Sequence, residues 1–381
     1  MSIPLYKPYL PESAGSFAVN AFGSGWLGYG PRAKQLENVF TDRWKGWALS
    51  VTSCTSALYL AARCMKRSDS DEVIIPAITF VSTGMAFKTA GYKVVPVDVD
   101  PQGLISPEAA ERAITAHTRA IVAVHLYGQR AELSRLRRLC DARGLFLVED
   151  CAHRVGMEDA ARTGDFACFS FNVMKELPSG EGGLLWGRDA AFEQAAREFA
   201  NVGLTENTVQ RVSTLNHADY LFGSNSGLKL LQNDLIASLT LALMPLLEEN
   251  REKRKRIFTS YQSLFGPLQG VRLFERGEDD SRLMFVLRLK EELVGPFRRI
   301  LADNGIATSH HYPSLYRHPM FEKRNECPEA ARLEREIVSL PCFIEMTDEQ
   351  LGQIERAVMA FAGDNGLLPG IPGVPAGQRQ G

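Results

Sequence analysis

The sequence has none of the features that staple a small secreted or metal-stabilised scaffold together. Its seven cysteines (Cys54, Cys64, Cys140, Cys151, Cys168, Cys327 and Cys342) are odd in number, scattered and without a C-x-x-C pair. That argues against a disulfide framework and against a structural zinc site, so reduced thiols and no metal are expected. An excess of charge of one sign is also missing. The 43 basic residues against 45 acidic leave a net charge of -2, which gives nucleic acid or an anionic membrane no basic field to bind. No run approaches the uninterrupted apolar length of a membrane span, and Met1 to Pro8 lacks the apolar core of a signal peptide. A soluble cytoplasmic protein working on small molecules is expected. What the sequence does have is bulk: 381 residues, 45% of them hydrophobic, enough for a sizeable core and two or three structural units.

From Trp47 to Gly183 short β-rich runs alternate with helical ones, the pattern of an α/β fold with a mostly parallel central sheet. Strands are predicted at Trp47–Val51, Glu72–Pro76, Val94–Val97, Ala120–Val124 and Leu145–Val148. Helices are predicted at about Thr55–Met65, Phe80–Lys88, Pro107–Ile114 and Ala131–Arg143. After Ala190 the rhythm changes to a long helical stretch from about Leu235 through Phe265. A smaller unit follows, with one clear strand, Leu283–Leu287, and helices near Leu293–Asn304, Glu329–Ser339 and Asp348–Ala362. The expected division is a large domain over residues 1–250, which includes the N-terminal segment, a small C-terminal α/β domain over 251–363, and a flexible Pro/Gly-rich tail over 364–381. The charge run Glu248 to Arg256 reads as a solvated helix face. Gly23 to Gly28 fits G-x-G-x-x-G, but no strand precedes it, so it is not a dinucleotide fingerprint.

The chemistry concentrates around Lys175. It stands in a short polar turn between two apolar runs, with Ser170 before it and Gly180, Gly182 and Gly183 after it, a setting that suits an amine forming a Schiff base with pyridoxal phosphate. Such a cofactor also needs an acid for its ring nitrogen, a phosphate cup and a flat neighbour. Asp150 follows the run Leu145–Val148, at the carboxyl end of a strand where open α/β sheets place ligands; a helix cap is its ordinary alternative. Ser53-Cys54-Thr55-Ser56 lies where strand gives way to helix, offering hydroxyls and backbone N–H groups to an anion, although N-capping explains the same composition. Ser170 can add a hydroxyl to that cup. Phe80 can stack on the ring, where most phenylalanines would be core.

Joint order raises these separate readings. Trp26-Leu27, Gly30-Pro31, Cys54 to Leu58, Asp71 to Pro76, Thr79 to Thr83, Pro96 to Asp100, His125 to Gln129, Glu149 to His153, Phe169 to Phe171, Lys175 and Gly180 to Gly183 resemble, in sequence and order, the DegT/DnrJ/EryC1/StrS aminotransferases. Those are fold-type I pyridoxal-phosphate enzymes that mostly aminate keto-sugars. The likeness runs from about Ile3 to Phe361. It implies that Lys175 bonds the cofactor and shuttles the proton, that Asp150 pairs with the ring nitrogen, and that His153 hydrogen-bonds the 3-hydroxyl. It further implies that Phe80 stacks on the ring, that Cys54, Thr55 and Ser170 hold the phosphate, and that Asn225 reaches the neighbouring site of a homodimer. Trp26, Tyr127 and His311 are the residues it places toward substrate.

The resemblance implies transfer of an amino group from an amino acid, expected to be L-glutamate, to a keto-sugar, expected to be nucleotide-linked, through pyridoxal and pyridoxamine phosphate. Ser224, Ser226 and Gly227 lack the aromatic and basic residues usual in that loop, which keeps a free keto-cyclitol open as the acceptor. Two rivals are a family dehydratase and a non-catalytic relative. The dehydratases carry histidine where Lys175 stands, and a decayed site would lose that lysine first.

Overall fold

The computed structural model describes residues 2–206, 221–323 and 325–369. Of the expected tail, residues 370–381 lie outside the described residues, while the helix Asp348–Asp364 reaches into its start.

Two helices, α1 (Glu12–Gly23) and α2 (Pro31–Trp44), precede β1 (Trp47–Val51), after which helix and strand alternate. The order is α3 (Cys54–Met65), β2 (Glu72–Pro76), α4 (Val81–Thr89), β3 (Lys93–Val97), α5 (Pro107–Arg112), β4 (Thr118–Val124), α6 (Leu133–Arg143), β5 (Phe146–Asp150), β6 (Phe166–Ser170) and β7 (Gly183–Gly187). The strands form a seven-stranded sheet in the order β1-β7-β6-β5-β4-β2-β3. From β6 across to β3 neighbours are parallel, and β7 runs antiparallel to both of its neighbours. Most of these strands are buried along their whole length, because helices cover both faces of the sheet and leave no side for polar alternation. The α/β expectation holds.

The second half departs from the expectation in three places. The long helical stretch is broken at Pro245: α7 (Glu193–Ala200) is followed by α8 (Asp234–Leu243), a 3₁₀ turn over Met244–Leu246, and α9 (Leu247–Phe265). Proline lacks the N–H that would continue the ladder. The single strand is one of three. β8 (Val271–Leu273), β9 (Phe285–Leu289) and β10 (Ile337–Leu340) form an antiparallel sheet in the order β10-β9-β8. The helix expected to run to Ser339 stops as α11 (Pro328–Glu336), because the buried apolar run Ile337–Leu340 pairs with β9 instead. Between these lies α10 (Glu291–Asp303), and α12 (Asp348–Asp364) closes the described chain.

Phe258, Tyr261 and Phe265 of α9 pack with Phe285, Phe297 and Phe361 into the core of this second unit. α9 runs unbroken through residue 250, and the charge run on it is not wholly solvated. Asn250 and Arg254 are buried, since they share the inward face with Ile257, Phe258 and Tyr261. Ile3, from the far end of the chain, belongs to the same core.

Candidate active site

The carboxyl ends of the parallel strands meet along one edge of the sheet, and a cavity of about 370 Å³ opens there. Its lining includes Cys54, Thr55, Phe80, Asp150, His153, Ser170, Lys175 and His311. Eight of the sequence-predicted residues are thus brought together.

Each comes from a strand end or the turn beyond it. After β1, Ser53 caps α3 by accepting from the Ser56 N–H at 3.1 Å. Among the described residues, the N–H groups of Cys54 and Thr55 are left without partners at the positive end of the helix dipole. Close approach here requires Gly183: an added Cβ would lie 2.4 Å from the Ser53 carbonyl carbon and 2.5 Å from the Cys54 nitrogen. Ser170, at the end of β6, lines the same side. Together these make an anion cup.

Asp150 ends β5, in mid-sheet. Its Oδ1 accepts from the Ala152 N–H at 3.1 Å and its Oδ2 from the Thr83 hydroxyl at 2.8 Å, with Cys54 Sγ 3.9 Å away. Burial pushes its pKa up, opposed by the two hydrogen bonds and by the charge of Lys175. Thr83 was missed in the sequence. It lay within the Thr79 to Thr83 run without being singled out, and its hydroxyl meets that of Thr79 at 3.0 Å one helical turn away.

Lys175 lies in the loop between β6 and β7. Among the described residues its amine has no hydrogen-bond or ion-pair partner, and burial lowers its pKa, against the pull of Asp150 and Cys54. An amine in that setting sheds its proton more readily than a surface lysine, as a nucleophile and base requires.

His153 is buried, and its Nδ1 accepts from the Tyr127 N–H at 3.2 Å. That leaves the proton of the neutral ring on Nε2, which faces the Tyr312 hydroxyl at 3.4 Å. Burial drives the pKa well below the usual histidine value, so the ring is a neutral Nε2–H donor aimed into the cavity. The Tyr127 N–H reaches His153 because Tyr127 adopts a left-handed backbone, φ 57°, which turns the main chain there.

Phe80, 54% exposed, stands at the mouth with its ring 5.6 Å from that of Tyr312. His311 lines the wall, its Nδ1 2.8 Å from the Ser339 hydroxyl; burial lowers its pKa to about 4. Tyr312, the residue after His311, also lines the cavity and is a further functional candidate.

Tyr127 and Trp26 do not line this cavity, and Asn225 was expected at a neighbouring one. Tyr127 is buried behind it, its hydroxyl donating to the His311 carbonyl, so it supports His153 and His311 rather than meeting substrate. The Trp26 indole donates to the Tyr29 carbonyl at 3.0 Å within its own loop, which follows a helix rather than a strand. The Asn225 amide donates to Glu198 at 2.7 Å.

His125, Glu149 and Cys151 bring a nitrogen, an oxygen and a sulfur within 4.8 Å of one another. His125 Nδ1 accepts from the Ala131 N–H, its Nε2 faces Glu149 at 3.1 Å, and Glu149 also accepts from the Thr163 and Gly164 N–H groups. The histidine and carboxylate are therefore engaged as a buried tie between strand ends.

The lining fits pyridoxal phosphate. The cup has unpaired N–H groups that would take the phosphate, Asp150 is a buried carboxylate that could pair with the ring nitrogen, His153 has an Nε2–H that could reach the 3-oxygen, and Lys175 has an uncommitted amine. Comparison with known proteins agrees. The chain matches the family described as the DegT/DnrJ/EryC1/StrS aminotransferase family over residues 14–359. It is 30% identical over 375 residues to the spore coat polysaccharide biosynthesis protein SpsC of Bacillus subtilis (strain 168), covering 93% of this chain and 96% of that protein. It is 28% identical over 361 residues to the dTDP-4-dehydro-2,3,6-trideoxy-D-glucose 4-aminotransferase of Saccharopolyspora spinosa, covering 92% of this chain and 94% of that one. Among solved structures, the aminotransferase TlmJ from Streptoalloteichus hindustanus superposes with a TM-score of 0.87 at 26% identity, over 96% of this chain and 100% of that one.

Proposed function

Since this chain belongs to the DegT/DnrJ/EryC1/StrS aminotransferase family, we propose that it is a pyridoxal-phosphate enzyme moving an amino group from L-glutamate to a nucleotide-linked keto-sugar. The observation that carries this reading is the uncommitted Lys175 amine, buried in one cavity with Asp150 and the open first turn of α3.

When bound, the cofactor supplies an aldehyde that a lysine can bond and a ring that draws electrons from the bond being broken. The protein's own groups supply the rest. Lys175 Nζ, whose pKa burial lowers, takes the proton from the donor's α-carbon and redelivers it, then repeats the transfer in reverse on the acceptor. Asp150 would keep a positive charge at the ring nitrogen, and the hydrogen bonds from Thr83 and the Ala152 N–H favour its ionised form against the upward push of burial. His153 Nε2–H holds the 3-oxygen. Phe80 would cover one face of the ring, and the N–H groups of Cys54 and Thr55 with the Ser170 hydroxyl would take the phosphate.

The nucleotide-linked acceptor is supported by the dTDP-sugar named for the Saccharopolyspora relative. One observation favours a free keto-cyclitol instead: Lys175 is the only lysine or arginine in the described lining, and Glu181 stands at the rim, held by the Asn172 amide at 3.0 Å. Loading the enzyme with pyridoxamine phosphate and offering nucleotide-linked and free keto compounds separates the two. Amination of the nucleotide-linked sugars, read by mass spectrometry, is expected, and amination of the free cyclitols alone would reverse the order.

A homodimer is part of the proposal, with Asn225 exchanging Glu198 for the neighbour's phosphate. Mixing Asn225→Ala with Lys175→Ala subunits then recovers part of the activity. Recovery no better than either parent removes Asn225 from the site.

A further inference from the structure

The first residues of the chain lie against the back of the catalytic loop. The Ile3 N–H donates to the Gly305 carbonyl at 2.8 Å, and the Ala307 N–H donates to the Ile3 carbonyl at 3.0 Å. The Cys342 N–H donates to the Leu5 carbonyl at 3.2 Å, and Lys7 pairs with Glu345 at 2.6 Å. Residues 3–7 are therefore fastened to the C-terminal unit although they precede the large sheet by forty residues of chain. From that strap the Tyr6 hydroxyl donates to the main-chain carbonyl of Lys175 at 2.9 Å. Leu5 and Tyr6 line a small second cavity that shares Met174, Met284 and His311 with the first, so the strap forms the rear wall of the site.

The carbonyl is held firmly. Burial pushes the Tyr6 hydroxyl up to about 12, against the nearby Arg254 guanidinium, so it keeps its proton and stays a donor through the neutral range. On the other side of the Lys175 Cα, the Lys175 N–H donates to the Asn172 carbonyl at 2.9 Å. The next side chain, Glu176, accepts from the Ser281 hydroxyl at 2.7 Å and from the Gly156 N–H at 3.4 Å. Ser281 also comes from the C-terminal half. The root of the lysine is thus pinned from that half at two adjacent residues, while its amine faces Asp150 on the sheet edge.

We propose that Tyr6 is a positioning residue for Lys175: its hydroxyl, carried by the N-terminal strap, fixes the lysine's main chain so that the amine stays in register with the acid of the large sheet. This rests on the proposed role of Lys175. A long side chain reaches its target reproducibly only when its root is fixed, and a misplacement of about 1 Å at a reacting group can cost on the order of a hundredfold in rate. The plain alternative is a buried tyrosine whose hydroxyl has merely found an acceptor, which would contribute to stability alone.

The test uses Tyr6→Phe in the full-length holoenzyme, with Lys7→Glu as a second variant that cuts the strap's ion pair and leaves the hydroxyl in place. In Tyr6→Phe the kcat of the donor half-reaction is expected to fall about tenfold while the donor KM changes less than about twofold, the pattern of a lost transition-state arrangement. The pH midpoint of the visible absorbance of lysine-bound cofactor is expected to move by about half a unit or more, because the environment of the amine changes. Lys7→Glu is expected to leave both readouts where they are. A Tyr6→Phe enzyme that melts earlier but keeps wild-type kcat and midpoint would overturn the proposal, as would Lys7→Glu moving both readouts equally. If no lysine-bound absorbance exists in the wild type, the fault lies with the role given to Lys175, which separates the two failures.

Discussion

The floor and the rear wall of the cavity are built in opposite ways. On the floor, Cys54, Asp150 and Ser170 each sit at the end of a buried strand or in the turn just beyond it, and the sheet ladders hold those ends in register. At the rear, Tyr6, Ser281 and His311 come from separate segments, each side chain tied by a single long-range hydrogen bond, to the Lys175 carbonyl, Glu176 and Ser339 respectively. A floor position is therefore fixed by cooperative structure, and a wall position by individual contacts. Substitutions on the floor should abolish chemistry or cofactor binding, whereas those on the wall should tune it.

The largest expected effect is on the floor. Asp150→Asn removes the charge proposed to face the ring nitrogen and should slow both half-reactions by on the order of a hundredfold or more, with cofactor still retained by the α3 cup. Stopped-flow rates near wild type would break the contrast. Gly183→Ala comes next. Its Cβ would press on the Ser53–Cys54 backbone at 2.4 to 2.5 Å, so a loss of stability of about 1–3 kcal/mol is expected, together with weaker retention of cofactor on dialysis. Unchanged retention would mean that the first turn of α3 does not hold the phosphate.

The smallest effect is on the wall and depends on pH. His311 has a pKa of about 4 in the folded protein against the usual 6.5. Between those values the unfolded chain binds the additional proton, so stability falls as pH drops from about 6.5 toward 4, with His153 contributing in the same direction. Urea unfolding of His311→Asn should show a shallower loss between pH 7 and pH 5 than wild type. An identical slope would mean that His311 does not carry it.

The same division governs what the sequence disclosed. Asp150, Ser170 and the Ser53–Ser56 run were legible because each adjoins an apolar strand run, and a parallel sheet sends such ends to one edge. Lys175 was legible from its turn and the glycines after it, one of which, Gly183, admits the α3 backbone. Tyr6 and Lys175 are 169 residues apart, and Ser281 and Glu176 are 105 apart; nothing in the local pattern of either partner marks such a contact. Tyr127 was misplaced because a buried tyrosine that turns the backbone toward a histidine looks, in sequence, like one that faces substrate. The Ile337–Leu340 strand was hidden for a related reason. Four residues are too few to separate a helix end from a strand without the partner strand β9.

The account turns on Lys175. Borohydride reduction of the holoenzyme followed by peptide mapping tests it most directly. The expected result is a cofactor-sized mass increment on Lys175 that is absent from Lys175→Ala. An increment on a different lysine, or none on any, would contradict it.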